Sequence, residues 1–363
     1  MLNSLVDGYR KLKENHAFSV AAHARVVANY FRSRRELRDR PILMRSDPVV
    51  VEIELTNRCN LACVQCLRSR GLKNYALGAM SFETYQAVLA QFPYVLNLSL
   101  NGFGEALMHD RLFDIVEYSR RQRPWAKIGI YSNGMLIDEE KARRLCACGL
   151  TEINVSLDAA DPDTYKRVRR GGTLSTVHEG IARLVRAKRA AGVTLPMIGM
   201  NFVMLNQNEG ELVDFVEDAA DLGVDFVNCI TYATYDWGFE NKRTLESYRR
   251  ELAAARARMD DLGLRCKSFP SDDVSWSDAR TPFNCSFFWG PIRVTYGGDV
   301  TLGCCTPFRE TFSYGNVLEH PFRDIWNNAL YRKNRELARR NAAPTDACAS
   351  CDRFAKGFFS PTA

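Results

Sequence analysis

The sequence contains no apolar run that approaches the roughly 18–20 residues needed to cross a bilayer. Its first residues, from Met1 to Asp7, lack the apolar stretch of a secretory signal peptide. A large excess of charge of one sign is also missing. The net charge of +6 suits an anionic ligand but does not by itself indicate nucleic acid. We therefore expect a cytoplasmic protein with no transmembrane segment and no nucleic-acid partner.

Cysteine, in contrast, is plentiful, with 12 in 363 residues. In a long chain without a secretion signal, metal binding or catalysis explains cysteines better than disulfides do. Hydrophobic residues make up 46% and charged residues 25% of the chain, which is ordinary for a globular protein with a sizeable core. The length allows one large domain and one smaller domain.

Three cysteines stand close together, at Cys59, Cys63 and Cys66, directly after the apolar run 49–55. The run predicts a strand, and the residues after it turn into a loop. Three thiolates on one loop can bind three irons of a cubane iron–sulfur cluster. Because no fourth cysteine lies nearby, one iron would be left open to another ligand, as in catalytic metal sites. The alternative is three unrelated buried cysteines, since a structural zinc site would need a fourth ligand.

Between residue 49 and about residue 268, predicted strands alternate with predicted helices, which is typical of βα units around a parallel sheet. Residues 1–46 show apolar residues at helical spacing and end in a basic stretch. That stretch is a solvated helix face, a contact for an anionic substrate or a contact for a membrane surface. The predicted strands are 49–55, 94–100, 127–131, 151–157, 196–204 and 224–231. The predicted helices lie near 81–91, 110–122, 138–148, 174–191, 208–222 and 242–262.

The C-x3-C-x2-C spacing after a strand resembles the radical SAM superfamily. This resemblance implies an α/β fold, a partial (β/α)6 TIM-like barrel with the cysteine loop after its first strand. It implies that the open iron of a 4Fe–4S cluster binds S-adenosylmethionine (SAM) and that one electron cleaves SAM to a 5′-deoxyadenosyl radical. A reductase such as flavodoxin or ferredoxin would supply that electron. Gln65 departs from the family, which often has an aromatic residue before the last cysteine.

Short motifs at the ends of later strands resemble the SAM-binding positions of the same family. Gly-Phe-Gly-Glu at 102–105 resembles the family's Gly-Gly-Glu-Pro, and Ser-Asn-Gly at 132–134 resembles its Thr-Asn-Gly. For Asp158, capping of the next helix is the alternative role. The SAM contacts that the resemblance implies are Gln65, Gly102, Gly104, Glu105, Ser132, Asn133, Ser156, Asp158, Asn201 and Val203.

A second set of cysteines lies near the carboxyl terminus, around a predicted hairpin at 297–299. Four thiolates can bind zinc or a complete iron–sulfur cluster. Together with the first motif, the set resembles the SPASM/twitch extension of radical SAM enzymes, which implies an auxiliary 4Fe–4S cluster. We expect a helical extension at 1–46, a core barrel at 47–268 and a small SPASM/twitch-like domain at 269–363. The expected ligands are Cys285, Cys304 or its neighbour Cys305, Cys348 and Cys351, and our ligand set uses Cys304.

The favoured function is oxidation of a small polar metabolite, such as a sugar, aminocyclitol or nucleoside-like compound, in natural-product or cofactor biosynthesis. The auxiliary cluster would accept the electron that remains after hydrogen abstraction. A polar and aromatic group after the sixth strand is the predicted substrate site, unless it only covers the barrel. That group is Tyr232, Tyr235, Asp236 and Trp237.

Three other functions use the same residues differently. An epimerase, decarboxylase or dehydratase would be redox-neutral, and in an epimerase Cys229, Cys266 or Cys305 would donate a hydrogen atom. A ribosomal-peptide maturase commonly has a βββα leader-peptide-binding domain before the barrel, for which the helical residues 1–46 are short. A non-enzymatic iron–sulfur electron carrier would not need the SAM-binding motifs.

Overall fold

The computed structural model describes residues 20–70, 75–232, 244–269, 285–302 and 313–349. Their centre is a nine-stranded sheet. The strands are β1 (Val50–Ile53), β2 (Asn97–Ser99), β3 (Lys127–Ser132), β4 (Glu152–Ser156), β5 (Met197–Met204), β6 (Phe226–Thr231), β7 (Cys266–Ser268), β8 (Ile292–Val294) and β9 (Val300–Thr301). Their order across the sheet is β7-β6-β5-β4-β3-β2-β1-β8-β9.

Helices follow most of the strands and cover the outer face of the sheet. Several begin where a side chain caps free backbone N–H groups, as when Asp138 accepts a 2.7 Å hydrogen bond from Lys141 N. The helices are α1 (Val20–Asp39), α2 (Phe82–Ala90), α3 (Leu112–Gln122), α4 (Glu139–Ala147), α5 (Pro162–Val168), α6 (Leu174–Ala190), α7 (Leu212–Leu222), α8 (Leu245–Leu262), α9 (Phe322–Trp326), α10 (Ala329–Arg339) and α11 (Asp346–Ala349). Of the helices in these segments, none combines the length and apolar character that a membrane span requires.

Side chains alternate along β1, and the alternation separates the core from the barrel interior. Val51 and Ile53 are fully buried in the hydrophobic core. Glu52 and Glu54 therefore point to the opposite face, inside the barrel. Strands β1 to β7 pair in parallel throughout. Within the described segments the strand order ends at β7 and β9, which do not pair with each other, and this confirms a partial barrel rather than a closed one.

All six strands and six helices predicted for the barrel are confirmed, with small differences at their ends. Strand β7 and helix α5 were not predicted. Helix α5 spans only seven residues and begins at a proline, which is too short for an apolar repeat to stand out. Its cap is Asp161, whose Oδ1 accepts from Thr164 N at 2.8 Å. The suggested capping role of Asp158 is therefore wrong.

The carboxyl-terminal residues continue the barrel sheet. Strand β8 pairs in parallel with β1, so that Arg293 lies beside Glu52, and β8 and β9 form the predicted hairpin. Helix α1 and the segment after it dock on the same region, where Trp289 Nε1 donates to Pro41 O at 2.7 Å. The division into three domains stays a prediction.

Candidate functional site

The three neighbouring cysteines lie on the loop that leaves β1, at the carboxyl end of the sheet. Two backbone hydrogen bonds fasten this loop to the end of α5, from Ala62 N to Arg170 O at 2.8 Å and from Val64 N to Val168 O at 3.0 Å. A tight turn between Cys63 and Cys66 brings the last two cysteines onto one side of the loop. Parallel strands present their functional loops at this end of a barrel.

Polar side chains hold the start and the middle of the loop. Asn57 clamps the segment 76–78, because its Nδ2 donates to Ala76 O at 2.7 Å and its Oδ1 accepts from Gly78 N at 2.8 Å. Arg68 reaches back across the loop and donates to Leu61 O at 2.6 Å and to Cys59 O at 3.2 Å. Hydrogen bonds from Asn57 and Arg68 therefore fix the conformation of the cysteine loop.

Burial raises the pKa of the thiols of Cys59, Cys63 and Cys66 above the ordinary cysteine value. Iron binds the thiolate, so loading of a cluster would release protons and compensate the buried charge. No group of three metal-binding side chains in the described segments is close enough to hold a single metal ion. A cubane cluster is larger than one ion, and its sulfur ligands therefore stand farther apart.

The glycines of the Gly-Phe-Gly-Glu motif allow two loops to approach each other closely. A Cβ atom at Gly104 would lie 2.2 Å from Thr56 O, and one at Gly102 would lie 2.2 Å from Glu54 Cγ. Glu105 N donates to Arg58 O at 2.8 Å, next to the first cysteine. Only residues without a side chain fit at these two positions.

Glu105 is buried, and its carboxylate joins the end of β2 to the end of β3. Its Oε1 accepts from Ser132 Oγ at 2.8 Å and from Leu107 N at 3.1 Å, and its Oε2 accepts from Asn133 N at 2.7 Å. Burial raises the pKa of Glu105. The carboxylate is thus occupied with protein partners, while Asn133 Nδ2 donates to Asn60 Oδ1 at 2.7 Å and approaches Cys59 Sγ at 3.9 Å.

Asp158 occupies the centre of a second polar group at the end of β4. It adopts a left-handed backbone conformation with φ of 59°, which aspartate tolerates better than most residues. Its Oδ1 accepts from Val203 N at 2.8 Å, and its Oδ2 accepts from Gln65 Nε2 at 2.6 Å and from Arg169. Sequence reasoning missed Arg169, because the pattern of an arginine after a short helix carries no distinct signal.

Several buried polar atoms around the cysteine loop have no hydrogen-bond partner within the described segments. They are Gln65 Oε1, Arg68 Nε and Arg169 Nε. Buried polar atoms in folded proteins are almost always paired. Unpaired atoms of this kind around three thiols fit the presence of an additional polar group here, and the donor set suits a cluster with SAM.

Below this edge, the barrel interior contains a chain of asparagines from three neighbouring strands. Asn228 Nδ2 donates to Asn201 Oδ1 at 2.7 Å and to Asn154 Oδ1 at 2.9 Å, and Asn154 Nδ2 donates to Glu152 Oε1 at 2.9 Å. In the described segments, Asn228 Oδ1 and Asn201 Nδ2 have no protein partner. The predicted SAM contact Ser156 lies beside Asn201 in the strand register.

Two ion pairs lie deeper in the interior. Arg293 of β8 contacts Glu52 of β1 at 2.6 Å, and Lys267 of β7 contacts Glu152 of β4. The ring of Tyr131 stands near both carboxylates, and burial together with Glu152 and Glu52 raises its pKa to about 12. Tyr131 is nevertheless 43% exposed, because this interior is open to solvent.

The remaining predicted residues are less well assembled. Cys229 is buried in the hydrophobic core on the helix side of β6, and Cys266 pairs with Val227 of that strand, so neither thiol faces the interior. This placement does not support a role as hydrogen donor. Tyr232 packs, like Val64 of the cysteine loop, against the small apolar cluster of Val168 and Leu205. Tyr235, Asp236, Trp237, Cys304, Cys305 and Cys351 lie outside the described residues, while Cys285 and Cys348 lie within them.

Comparison with known families identifies both parts of the chain. A family model of the Radical SAM superfamily matches residues 53–219, and one of the SPASM iron-sulfur cluster-binding domain matches residues 285–352. A GTP 3′,8-cyclase of Peptoclostridium acidaminophilum is 32% identical over 265 residues, which cover 70% of this chain and 79% of that protein. The chain belongs to the radical SAM superfamily. It is a radical SAM enzyme with 4Fe–4S clusters and SAM as cofactors.

Other relatives of this radical SAM enzyme are named for peptides. A PqqA peptide cyclase of Streptomyces rochei is 29% identical over 287 residues, which cover 77% of this chain and 75% of that protein. Streptococcus suis SuiB, solved with its precursor peptide SuiA, has a TM-score of 0.67 at 16% identity and covers 89% of this chain and 73% of its own. This structural likeness shows the fold alone.

The expected oxidation of a sugar, aminocyclitol or nucleoside-like metabolite is wrong. Relatives that cover most of the chain include peptide cyclases and a GTP cyclase, and these names do not support oxidation of a sugar or aminocyclitol. The expectation rested on an analogy of cysteine spacing, which reports the cluster and not the substrate. The alternative of a peptide maturase agrees better with these relatives.

Proposed function

We propose that this radical SAM enzyme modifies a peptide after hydrogen abstraction from one of its residues. The observation that carries the proposal is the alignment with PqqA peptide cyclases, which covers 77% of this chain for one relative and 85% for another. When bound, the cluster and SAM supply a 5′-deoxyadenosyl radical. Cys59, Cys63 and Cys66 would hold the cluster at the carboxyl end of the barrel.

The charge of the barrel interior supports a peptide over a nucleotide. A triphosphate carries several negative charges and requires several cations around it. Two cations of the interior, Arg293 and Lys267, are each bound to a carboxylate, Glu52 and Glu152. These two cations are therefore already neutralised, which favours an uncharged backbone over a triphosphate as ligand.

The asparagine chain supports the same substrate class. Asn201 Nδ2 offers N–H donors, and Asn228 Oδ1 offers an acceptor, side by side on adjacent strands. A peptide bond presents one acceptor and one donor of its own. The pair would therefore orient a backbone amide of the substrate beneath the cluster loop.

Four further assignments complete the proposal. Cys285, Cys304, Cys348 and Cys351 would hold the auxiliary cluster of the SPASM domain, whose family model spans all four. The predicted SAM contacts at the carboxyl edge would line the SAM site, whereas Asn201 would serve the substrate. A flavodoxin or ferredoxin would donate the electron. The cytoplasm, which keeps such clusters reduced, would be the location.

Cyclisation of a nucleotide is the second candidate, because the GTP 3′,8-cyclase of Peptoclostridium acidaminophilum is the more identical of the two relatives compared above. The two candidates make opposite demands on the interior. A nucleotide enzyme would need cations that are not neutralised by Glu52 and Glu152.

The test uses anaerobically reconstituted full-length protein with SAM and dithionite. Short peptides encoded beside its gene, fully deuterated at carbon, are compared with deuterated GTP. We expect deuterium in 5′-deoxyadenosine and a changed peptide mass with one of the peptides. Deuterium transfer from GTP alone would contradict the proposal and establish the second candidate.

A further inference from the structure

The guanidinium of Arg169 lies within hydrogen-bonding distance of a cysteine sulfur of the cluster loop. Its Nη1 approaches Cys63 Sγ at 3.8 Å, and its Nη2 donates to Asp158. We infer that Arg169 sets the reduction potential of the 4Fe–4S cluster by stabilising its reduced form, and that Asp158 limits this effect. The inference rests on the proposed binding of that cluster by Cys59, Cys63 and Cys66.

The position of Arg169 is fixed by the backbone. Its N–H donates to Tyr165 O at 2.6 Å at the end of α5, and the residues on both sides of it accept hydrogen bonds from Val64 and Ala62 of the cysteine loop. Its side chain is 10% exposed, and that of Asp158 is 0% exposed. The guanidinium is therefore held in a fixed place against the cysteine loop, away from bulk water.

Reduction adds one negative charge to a cluster, and its potential depends on net charge, solvent exposure and hydrogen bonds to the sulfurs. A buried cation that donates to a ligand sulfur favours the reduced form. The effect is strong because water does not screen the interaction. Arg169 also has a free buried donor, since its Nε is without a partner among the described residues.

Asp158 opposes this cation but does not cancel it. Its carboxylate accepts from Gln65 Nε2 and Val203 N as well as from the guanidinium, so its negative charge is shared among three donors. No hydrogen bond joins it to a sulfur, whereas Arg169 reaches Cys63 Sγ directly. Removal of Arg169 should therefore lower the reduction potential of the cluster, and removal of the Asp158 charge should raise it.

The experiment is a redox titration of the reconstituted full-length protein without SAM, followed by electron paramagnetic resonance. The signal of interest is the one absent from a Cys59/Cys63/Cys66→Ala variant. Wild type is compared with Arg169→Gln, Asp158→Asn, the double variant Arg169→Gln/Asp158→Asn, Arg169→Lys and Arg170→Gln. Arg170 is the matched control, because it is adjacent in sequence and exposed.

We expect Arg169→Gln to shift the reduction equilibrium at least tenfold toward the oxidised cluster, which is about 59 mV for one electron. Asp158→Asn should shift it the other way, the double variant should lie between the single variants and below wild type, and Arg170→Gln should leave it unchanged. If Arg169→Gln loses its iron, Arg169→Lys is the deciding variant. Its reduction potential should fall below that of the wild type by less than is expected for Arg169→Gln. Unchanged potentials in Arg169 variants that keep their iron would overturn the inference. Wild type without the cysteine-dependent signal would instead overturn the proposed cluster site.

Discussion

The carboxyl edge of the barrel and the barrel interior differ in the interactions that hold their side chains in place. At the edge, the cysteine loop, Gly104 and Glu105 are fastened by buried hydrogen bonds, and the free polar atoms there surround three thiols. In the interior, buried amides lie beside ion pairs and the partly exposed ring of Tyr131. The edge suits a cofactor of one fixed structure, whereas the interior is where we propose that the substrate binds.

The largest difference between the two regions should follow from removal of the thiols at the edge. We expect about eight irons in the wild type, from two cubane clusters, and about four in a Cys59/Cys63/Cys66→Ala variant. SAM cleavage should be lost in the variant, as measured by 5′-deoxyadenosine. Cys146→Ala, a change of a free cysteine on α4, is the control and should keep both. Equal iron in the triple variant would contradict the site.

Glu105→Ala should be the most destabilising single change at the edge. It leaves Ser132 Oγ, Asn133 N and Leu107 N without their buried acceptor. We expect a loss of about 3 kcal/mol in the free energy of unfolding, measured in urea. Glu140→Ala, on the exposed surface of α4, should leave stability nearly unchanged. Equal urea midpoints for the two variants would show that Glu105 does not organise this edge.

Gly104→Ala tests the close approach of the two loops. The added methyl group would collide with Thr56 O, so the loops must separate. We expect a loss of about 2 kcal/mol in unfolding free energy and lower iron content. Gly297→Ala is the matched control, because a Cβ atom there meets nothing nearer than 4.0 Å. An equal iron content in both variants would argue against a steric requirement.

Asn228→Leu addresses the interior and should have the smallest effect. It removes the acceptor proposed for the peptide and the donor to two other asparagines. We expect kcat/KM for the peptide to fall about tenfold, mostly through KM, while iron content stays at the wild-type value. Gln122→Ala, a change of an exposed residue at the end of α3, should change neither kcat/KM nor the iron content. Loss of iron in Asn228→Leu would place that residue at the edge instead.

Several features of the site were readable from the sequence because they depend on local chemistry. Cys59, Cys63 and Cys66 lie on a loop after a strand, as their spacing predicted. The glycines at 102 and 104 are needed for close approach, as glycines near a ligand often are. The alternation of helices and strands gave the parallel sheet, because apolar period and turn residues are local signals.

Other roles depend on contacts that are distant in sequence. Glu105 was expected to contact SAM, but its carboxylate is engaged by β3 residues. Asp158 was a possible helix cap, but Asp161 has that position and Asp158 binds Arg169 and Gln65 instead. Arg293 was not predicted to enter the barrel, because nothing local indicates that β8 pairs with β1.

The sequence by itself indicated the family and the cofactors, through the resemblance of its cysteine and glycine motifs, and it predicted six strands and six helices of the barrel, because apolar periodicity is a local signal. Only the tertiary structure decided which charges meet. It placed Arg169 on Cys63, paired Arg293 with Glu52 and Lys267 with Glu152, and aligned three asparagines in one layer. Such contacts arise from packing of strands far apart in sequence, and pattern and propensity do not encode them.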